Sequence, residues 1–415
     1  MRHSIDWQDD AVNAAPEERA TVGDLRLFLN EQNVTMHMMA GEPGDHVTVA
    51  LYGLANGLVH DWWTIFGARD QEVSLQRYRS GYLLPDIRLG FDGAVFEVSA
   101  WQCAYTDPDL RFLGGTSEIL SRDEGETWLG SLVQEVIARL HDRGIRDSGA
   151  EIRWHRIRSS LSRGERTFCE AAGSLGLDPY QIVDSVAHFI ERAEAVFHEE
   201  AAVEFVSGAE QVGQEKLIEW VDRMVHFKGF RYRLADLRPI VDVITKDLPA
   251  WTGTAAWAAG YRRARAMRNK LGISQNHRFS TFRDLARLLG AGAAYDLAPR
   301  VDGINALRRE TSNGIDVHVR DHGSPQGHLF ALARAIGDAV CFPEAEAAPI
   351  NRLRHAYRQA AGRAFAAEFL APIEEIKSMR ADERDEFSIA SEFGVMPTLI
   401  EHQIENQDRI AEACV

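Results

Sequence analysis

The sequence predicts a multi-domain α+β protein, with an N-terminal α+β module, a helical middle and a C-terminal domain of helices around a hairpin. Three observations point there. At 415 residues the chain has the length of two or three domains, with ample material for buried cores. Apolar runs that alternate, or that break at turn residues, mark strands between about 21 and 147. From 148 onward apolar residues recur every three or four positions, the helical period, except in the stretch 304–319.

Taken in order, residues 1–20 contain no apolar periodicity and are expected to be disordered. Val34–Met39 and Val47–Leu51 read as strands, and Gly53–Phe66 as a helix. Leu83–Leu89 and Ala94–Trp101 flank Asp92-Gly93, a dipeptide suited to a type I′ hairpin turn, where both positions need positive φ. Leu110–Leu120 reads as a further strand pair. A helix follows over Trp128–Leu140, opened by Asp123 and Glu124 and stopped near Gly144. Trp62, Trp63, Tyr78, Tyr82 and Trp101 are read as core and hairpin packing, with a ligand groove as the alternative.

The helical middle, 148–248, contains helix-turn-helix spacing at Ala172, Gly176 and Ile182, with Asp178-Pro179 as a helix start. Arg153, Arg156, Arg158, Arg163 and Arg166 lie in and just before it, which suggests phosphate contacts. The segment that would read bases, Tyr180–Ile190, has almost no Lys or Arg and carries Asp184, so a helical hairpin with a solvated basic face is the plainer reading. The patch 227–238 is read the same way.

Composition narrows the classes. The net charge of −16 disfavours nucleic acid and anionic membranes as partners of the whole molecule. Cys103, Cys169, Cys341 and Cys414 form no CxxC pair, which argues for a reducing compartment and against structural zinc. Neither a membrane-length apolar run nor a secretory apolar segment is visible, and a cytoplasmic protein is expected.

The informative stretch is His328–Pro343, HLFALARAIGDAVCFP. It reads as an amphipathic helix, with Ser324 as N-cap and Pro343 as stop. Phe330, Leu332, Ala333 and Gly337 give it an outline that resembles the active-site helix of the ImmA/IrrE-like metallopeptidases, roughly F-x-L-A-H-E-x-G-H. Further on, Phe365, Ala366, Ala367, Glu368, Leu370 and Pro372 resemble that family's second helix, A-N-x-F-A-A-E-L-L-x-P. The long helix of 249–273, a helix at 281–290 with Thr281 as N-cap, the hairpin turning at Asn313-Gly314 and a terminal helix pair over 386–406 complete the likeness, which spans about 249–410. The terminal pair also has helix-turn-helix spacing, at Ala390, Gly394 and Ile400, but Glu401, Glu405 and Asp408 on its second helix disfavour DNA.

The resemblance implies a zincin-like domain over 249–415, and a degenerate one. In HExxH two His at i and i+4 bind zinc, the Glu polarises the bound water, and a third ligand comes from the second helix. Here Arg334 stands at the first His, Ala335 at the Glu and Asp338 at the second His. The third-ligand position falls on Ala361, with Gln359 the nearest polar side chain. A guanidinium offers no lone pair, and one carboxylate does not hold zinc. No catalytic residue and no metal are therefore expected, with Arg334, Asp338 and Gln359 lining the former cleft. Arg334 and Asp338, four residues apart, are expected to pair with each other. A displaced metal site built from His318, His322, His328 and Asp338 is the weaker option, as is a Cys341–His355 pair.

By resemblance, the function expected is that of a non-catalytic pseudo-peptidase. It would be a regulatory or binding protein with a protein partner (a repressor, an effector or a peptide segment) in bacterial stress response, mobile-element control or antiphage defence. Two alternatives stand beside it: an active zinc metallo-endopeptidase with relocated ligands that cleaves a repressor, and a DNA-binding transcriptional regulator.

Overall fold

The computed structural model describes residues 1–9, 14–102, 110–209, 213–226, 229–248, 255–292 and 296–413, and the side chains of these except at 163 and 407–413. Helices and several small antiparallel sheets alternate along the chain. Contacts divide it into two compact units, Met1–Val183 and Asp184–Val415. The expected boundaries near 147 and 248 do not coincide with that division. The first two helices of the expected middle domain belong to the N-terminal unit, and the others to the C-terminal one.

In the N-terminal unit, residues expected to be disordered form a strand. Arg2–Trp7 pairs antiparallel with Val22–Leu29, from Arg2 opposite Phe28 to Trp7 opposite Gly23. On its other side Val22–Leu29 pairs with Val47–Ala50. Pairing along a whole strand supplies the order that composition alone did not indicate. Asp86–Phe91 and Val95–Trp101 form the expected hairpin, but the turn is not type I′. Only Gly93 has positive φ, and the Asp92 carboxylate accepts from the backbone N–H groups of Ala94 and Val95. Leu110–Phe112 and Thr116–Ser121 do not pair with each other: the first joins His37–Met39, the second Val95–Trp101.

The helix Arg122–Asp142 begins earlier than expected because Ser121 and Glu124 form a reciprocal capping box. Trp62 and Trp63 are buried core, as expected, whereas Trp101 is 56% exposed. The helix Arg163–Ser174 packs backbone to backbone on Trp62–Gly67. A Cβ added at Gly173 would lie 2.1 Å from the Trp63 carbonyl oxygen, so only glycine fits.

The C-terminal unit is built on one four-stranded antiparallel sheet. Its order is Tyr232–Leu234, Gly314–Val319, Ile304–Thr311, Ala347–Asn351. The central hairpin turns where expected, with Gly314 at φ +121°. The edge strand Tyr232–Leu234 replaces the solvated patch expected at 227–238: Tyr232 and Leu234 are buried, while Phe227 and Lys228 lie outside the described residues. Against the sheet lies the motif helix, Pro325–Cys341, capped by Ser324. The companion helix, Tyr357–Leu370, and the long helix, Ala256–Leu271, pack in turn behind it. Phe282–Leu288, capped by Thr281, and the terminal pair Glu386–Phe393 and Pro397–Ala413 complete the unit.

Two glycines set the spacing of this helix stack. A Cβ at Gly337 of the motif helix would lie 2.6 Å from the Phe365 ring. One at Gly260 of the long helix would lie 2.4 Å from the Ala361 carbonyl oxygen and 2.7 Å from the Phe365 backbone nitrogen. Backbone atoms cannot step aside as a side chain does. Gly260→Ala is therefore expected to cost about 1–3 kcal/mol despite alanine's better helix propensity, read as a lower urea midpoint.

Candidate functional site

The resemblance directs attention to the centre of the motif helix. That place is filled by a buried polar network and presents no open cleft. Arg334, Asp338 and Gln359, expected to line a cleft, are 4%, 1% and 2% exposed. Ala335 and Ala361 are fully buried, Ala335 within the apolar core cluster.

The expected Arg334–Asp338 pair does not form, because each residue has better-placed partners. Asp338 is shared by two arginines from other elements. Arg308, on the central strand, donates from Nε at 2.7 Å. Arg358, at the start of the companion helix, donates from Nε at 2.6 Å and from Nη2 at 2.9 Å. Burial by itself would raise the Asp338 pKa. Arg358 and Arg308 reverse that and hold the carboxyl below its ordinary value. In return, Asp338 holds the Arg358 guanidinium above its ordinary value against the opposing effect of burial.

Arg334 turns the other way. Its Nη2 donates to the Asn351 carbonyl and to the Gln359 side-chain oxygen, both at 2.8 Å. Burial pushes its pKa down to about 9, so it remains charged at neutral pH. Gln359 uses both ends of its amide. Its oxygen also accepts from the Asn351 backbone N–H at 3.0 Å, and its nitrogen donates to Glu204 at 2.7 Å and to the Pro349 carbonyl at 2.9 Å. Glu204 sits on the short helix Glu200–Ser207, and its backbone carbonyl accepts from the Asn351 side chain at 2.9 Å. Burial raises the Glu204 pKa to about 7.

The donor set does not fit zinc. Both Asp338 oxygens are taken by guanidinium groups, and Arg334 and Ala335 provide no lone pair. The three upstream histidines do not converge on Asp338. His318 Nδ1 lies 3.1 Å from the Phe230 carbonyl oxygen, His322 Nε2 lies 3.2 Å from that of Asn305, and His328 Nε2 lies 3.0 Å from Asp321. Burial lowers His318 and His322 to about 4, so both are neutral near pH 7. Among the described residues no three or more His, Cys, Asp or Glu are grouped to hold a metal ion. Cys341 is not set up as a nucleophile, since burial pushes its thiol up to about 12.

Glu368, a scaffold match, is buried and accepts from Arg265 at 2.6 Å and from the Ile373 backbone N–H at 3.1 Å, tying the companion helix to the next helix. One turn before Arg334, Phe330 borders a groove of about 480 Å³. Trp257, Ala360, Ala364 and Leu399 form other parts of its wall.

The arginines read as DNA contacts are mostly engaged within the N-terminal unit. Arg153 donates to Asp178 at 2.6 Å and Arg166 to Glu126 at 2.8 Å, while Arg156 lies over the Tyr180 ring. Arg158 is exposed, and the side chain of Arg163 lies outside the described residues. The helix-turn-helix reading of 163–190 fails in a further respect. A 3-10 turn, Pro179–Gln181, follows the first helix, and the next begins only at Asp184, across the division between the units.

Sequence reasoning missed Arg308, Arg358, Glu204 and Asn351. Arg308 carried a signal: it lies two residues after Ala306 and so shares the strand face on which Ala306, Val317 and Val319 join the core.

Asp338→Asn removes the carboxylate hydrogen-bonded to two buried guanidinium groups, leaving Arg308 only the more distant Glu310 carboxylate at 3.7 Å, so a loss of about 3–5 kcal/mol in urea unfolding is expected. Glu204 predicts a pH effect. Its folded pKa, about 7, lies above the ordinary 4.5, so the folded state holds the proton more tightly. Its contribution is full below about pH 4.5 and is lost as pH rises through about 7. His318 and His322 act in the opposite sense, so the informative measurement is the difference between wild type and Glu204→Gln. The wild type is expected to lose ground to the variant between about pH 4.5 and pH 7. A flat difference would refute the assignment.

Compared with family models, curated proteins and solved structures, the chain matches none.

Proposed function

We propose that this protein is a non-catalytic binding or regulatory protein, whose C-terminal unit uses a peptidase-like scaffold to hold a protein partner without cutting it. The observation that carries the reading is the occupancy of the motif centre. Asp338 is clasped by Arg308 and Arg358, and Arg334 is held between Asn351 and Gln359. Hydrolysis of a peptide bond needs an activated water and a group to stabilise the oxyanion. Both Asp338 oxygens are engaged by guanidinium groups, and the arginines offer no lone pair with which to position a metal.

The groove beside Phe330 supports the binding side of the reading, because it is concave and largely apolar and is the kind of surface that receives an apolar anchor of a partner. Setting in stress response, mobile-element control or antiphage defence follows from the resemblance alone. The relocated-ligand peptidase receives no support from the three histidines, and the DNA-binding reading is weakened by the engagement of Arg153 and Arg166 with carboxylates.

The deciding experiment uses full-length protein purified without an affinity tag. Its zinc content is measured by elemental analysis, and its cleavage of unfolded protein substrates is followed with and without added zinc. Zinc well below one ion per chain and no cleavage are expected. Stoichiometric zinc accompanied by chelator-sensitive cleavage would overturn the proposal.

A further inference from the structure

Most buried arginines of the C-terminal unit have partners that account for their burial. Arg308 and Arg358 share Asp338, and Arg268 donates to the carbonyls of Phe369, Ser274 and Gln275. Arg320 is different. It is 2% exposed, yet its nearest carboxylate, Asp302, is 3.8 Å away and largely in solvent. Its Nη1 donates to the Val301 carbonyl at 2.5 Å. Its Nε is buried without a hydrogen-bond partner, as are those of Arg268 and Arg334, but unlike theirs its guanidinium makes a single hydrogen bond among the described residues and its Nη2 makes none.

The backbone brings two more arginines to the same end of the sheet. Ala298 forms a parallel bridge with Arg320, the Arg320 N–H donates to the Asn305 carbonyl at 3.2 Å, and Ile304 pairs with Asn351. Arg300 and Arg352 follow directly on these segments, and both are exposed. Among the described residues neither makes a hydrogen bond or an ion pair. Their charges reach Arg320: after burial, Arg352 and Arg300 are what lower its pKa. Asp321, the other nearby acid, lies close to His328 and accepts from the Gly323 N–H.

Three like charges at one place, one of them desolvated, are costly unless an anion joins them. The protein carries a net charge of −16, so this spot is not part of a generally basic surface. We propose that Arg300, Arg320 and Arg352 form a binding site for a phosphoryl group, either inorganic phosphate or the phosphate of a small phosphorylated molecule. Guanidinium forks match phosphate oxygens two at a time, and a dianion offsets most of the three charges. The acidic remainder of the molecule favours a compact ligand over a long polyanion. The site does not depend on the non-catalytic reading of the motif helix.

The test is calorimetric titration of the full chain with inorganic phosphate and, separately, with adenosine monophosphate, at ionic strength matched with sodium chloride. Saturable binding of at least one is expected. Equal binding of both points to the bare phosphoryl group, and stronger binding of the nucleotide points to a small phosphorylated ligand. Arg300 and Arg352 are exposed, so Arg300→Ala and Arg352→Ala leave a folded protein, verified by circular dichroism. Each is expected to weaken binding about tenfold, the value of one charge-assisted contact. No saturable binding of either probe to wild type, or an affinity that both variants leave unchanged, overturns the site.

Discussion

The carboxylate of Asp338 is the contact on which the C-terminal unit depends. It is supplied by the motif helix and received by Arg308 of the sheet and Arg358 of the companion helix. Three elements distant in sequence thus meet at one ion, in a place closed to water. Close apolar packing sets the distance between these helices, and directional bonds to one buried carboxylate set which residues face one another. Arg334, Gln359 and Asn351 extend the same restraint to the strand Ala347–Asn351 and, through Glu204, to a helix more than a hundred residues earlier. The network stabilises relatively little for its size, since desolvation opposes it, but it specifies one arrangement.

Around that centre the apolar scaffold is closely fitted. Gly337 and Gly260 contact opposite sides of the companion helix near Phe365, and Glu368 secures its far end. Leu332, Ala333, Phe365, Ala366 and Leu370 are all buried in one cluster.

Much of this was legible in the sequence because the signals were local. The motif helix, its Ser324 cap, the Asn313-Gly314 hairpin and the terminal helix pair all follow from spacing and turn chemistry within about twenty residues. What was not legible depends on partners far away. The Arg334–Asp338 pair was inferred from i,i+4 spacing, but Arg308 and Arg358 compete for the same carboxylate from other elements. The strand Arg2–Trp7 looks polar because one of its faces is in water, and only its register against Val22–Leu29 reveals it. The edge strand Tyr232–Leu234 hides in a basic stretch for the same reason.

The shared carboxylate also shapes the mutational neighbourhood of this protein. Replacing Asp338 leaves two buried guanidinium groups without their shared acceptor, whereas replacing either arginine leaves the other still paired with it, so single steps away from the present arrangement are unequal. Residues 334, 351 and 359 are bound by the same logic through their hydrogen bonds. Asp338 is therefore the hardest member of the centre to exchange. Variation among descendants of this chain should accordingly collect in the groove wall and on the surface, and reach Asp338 last.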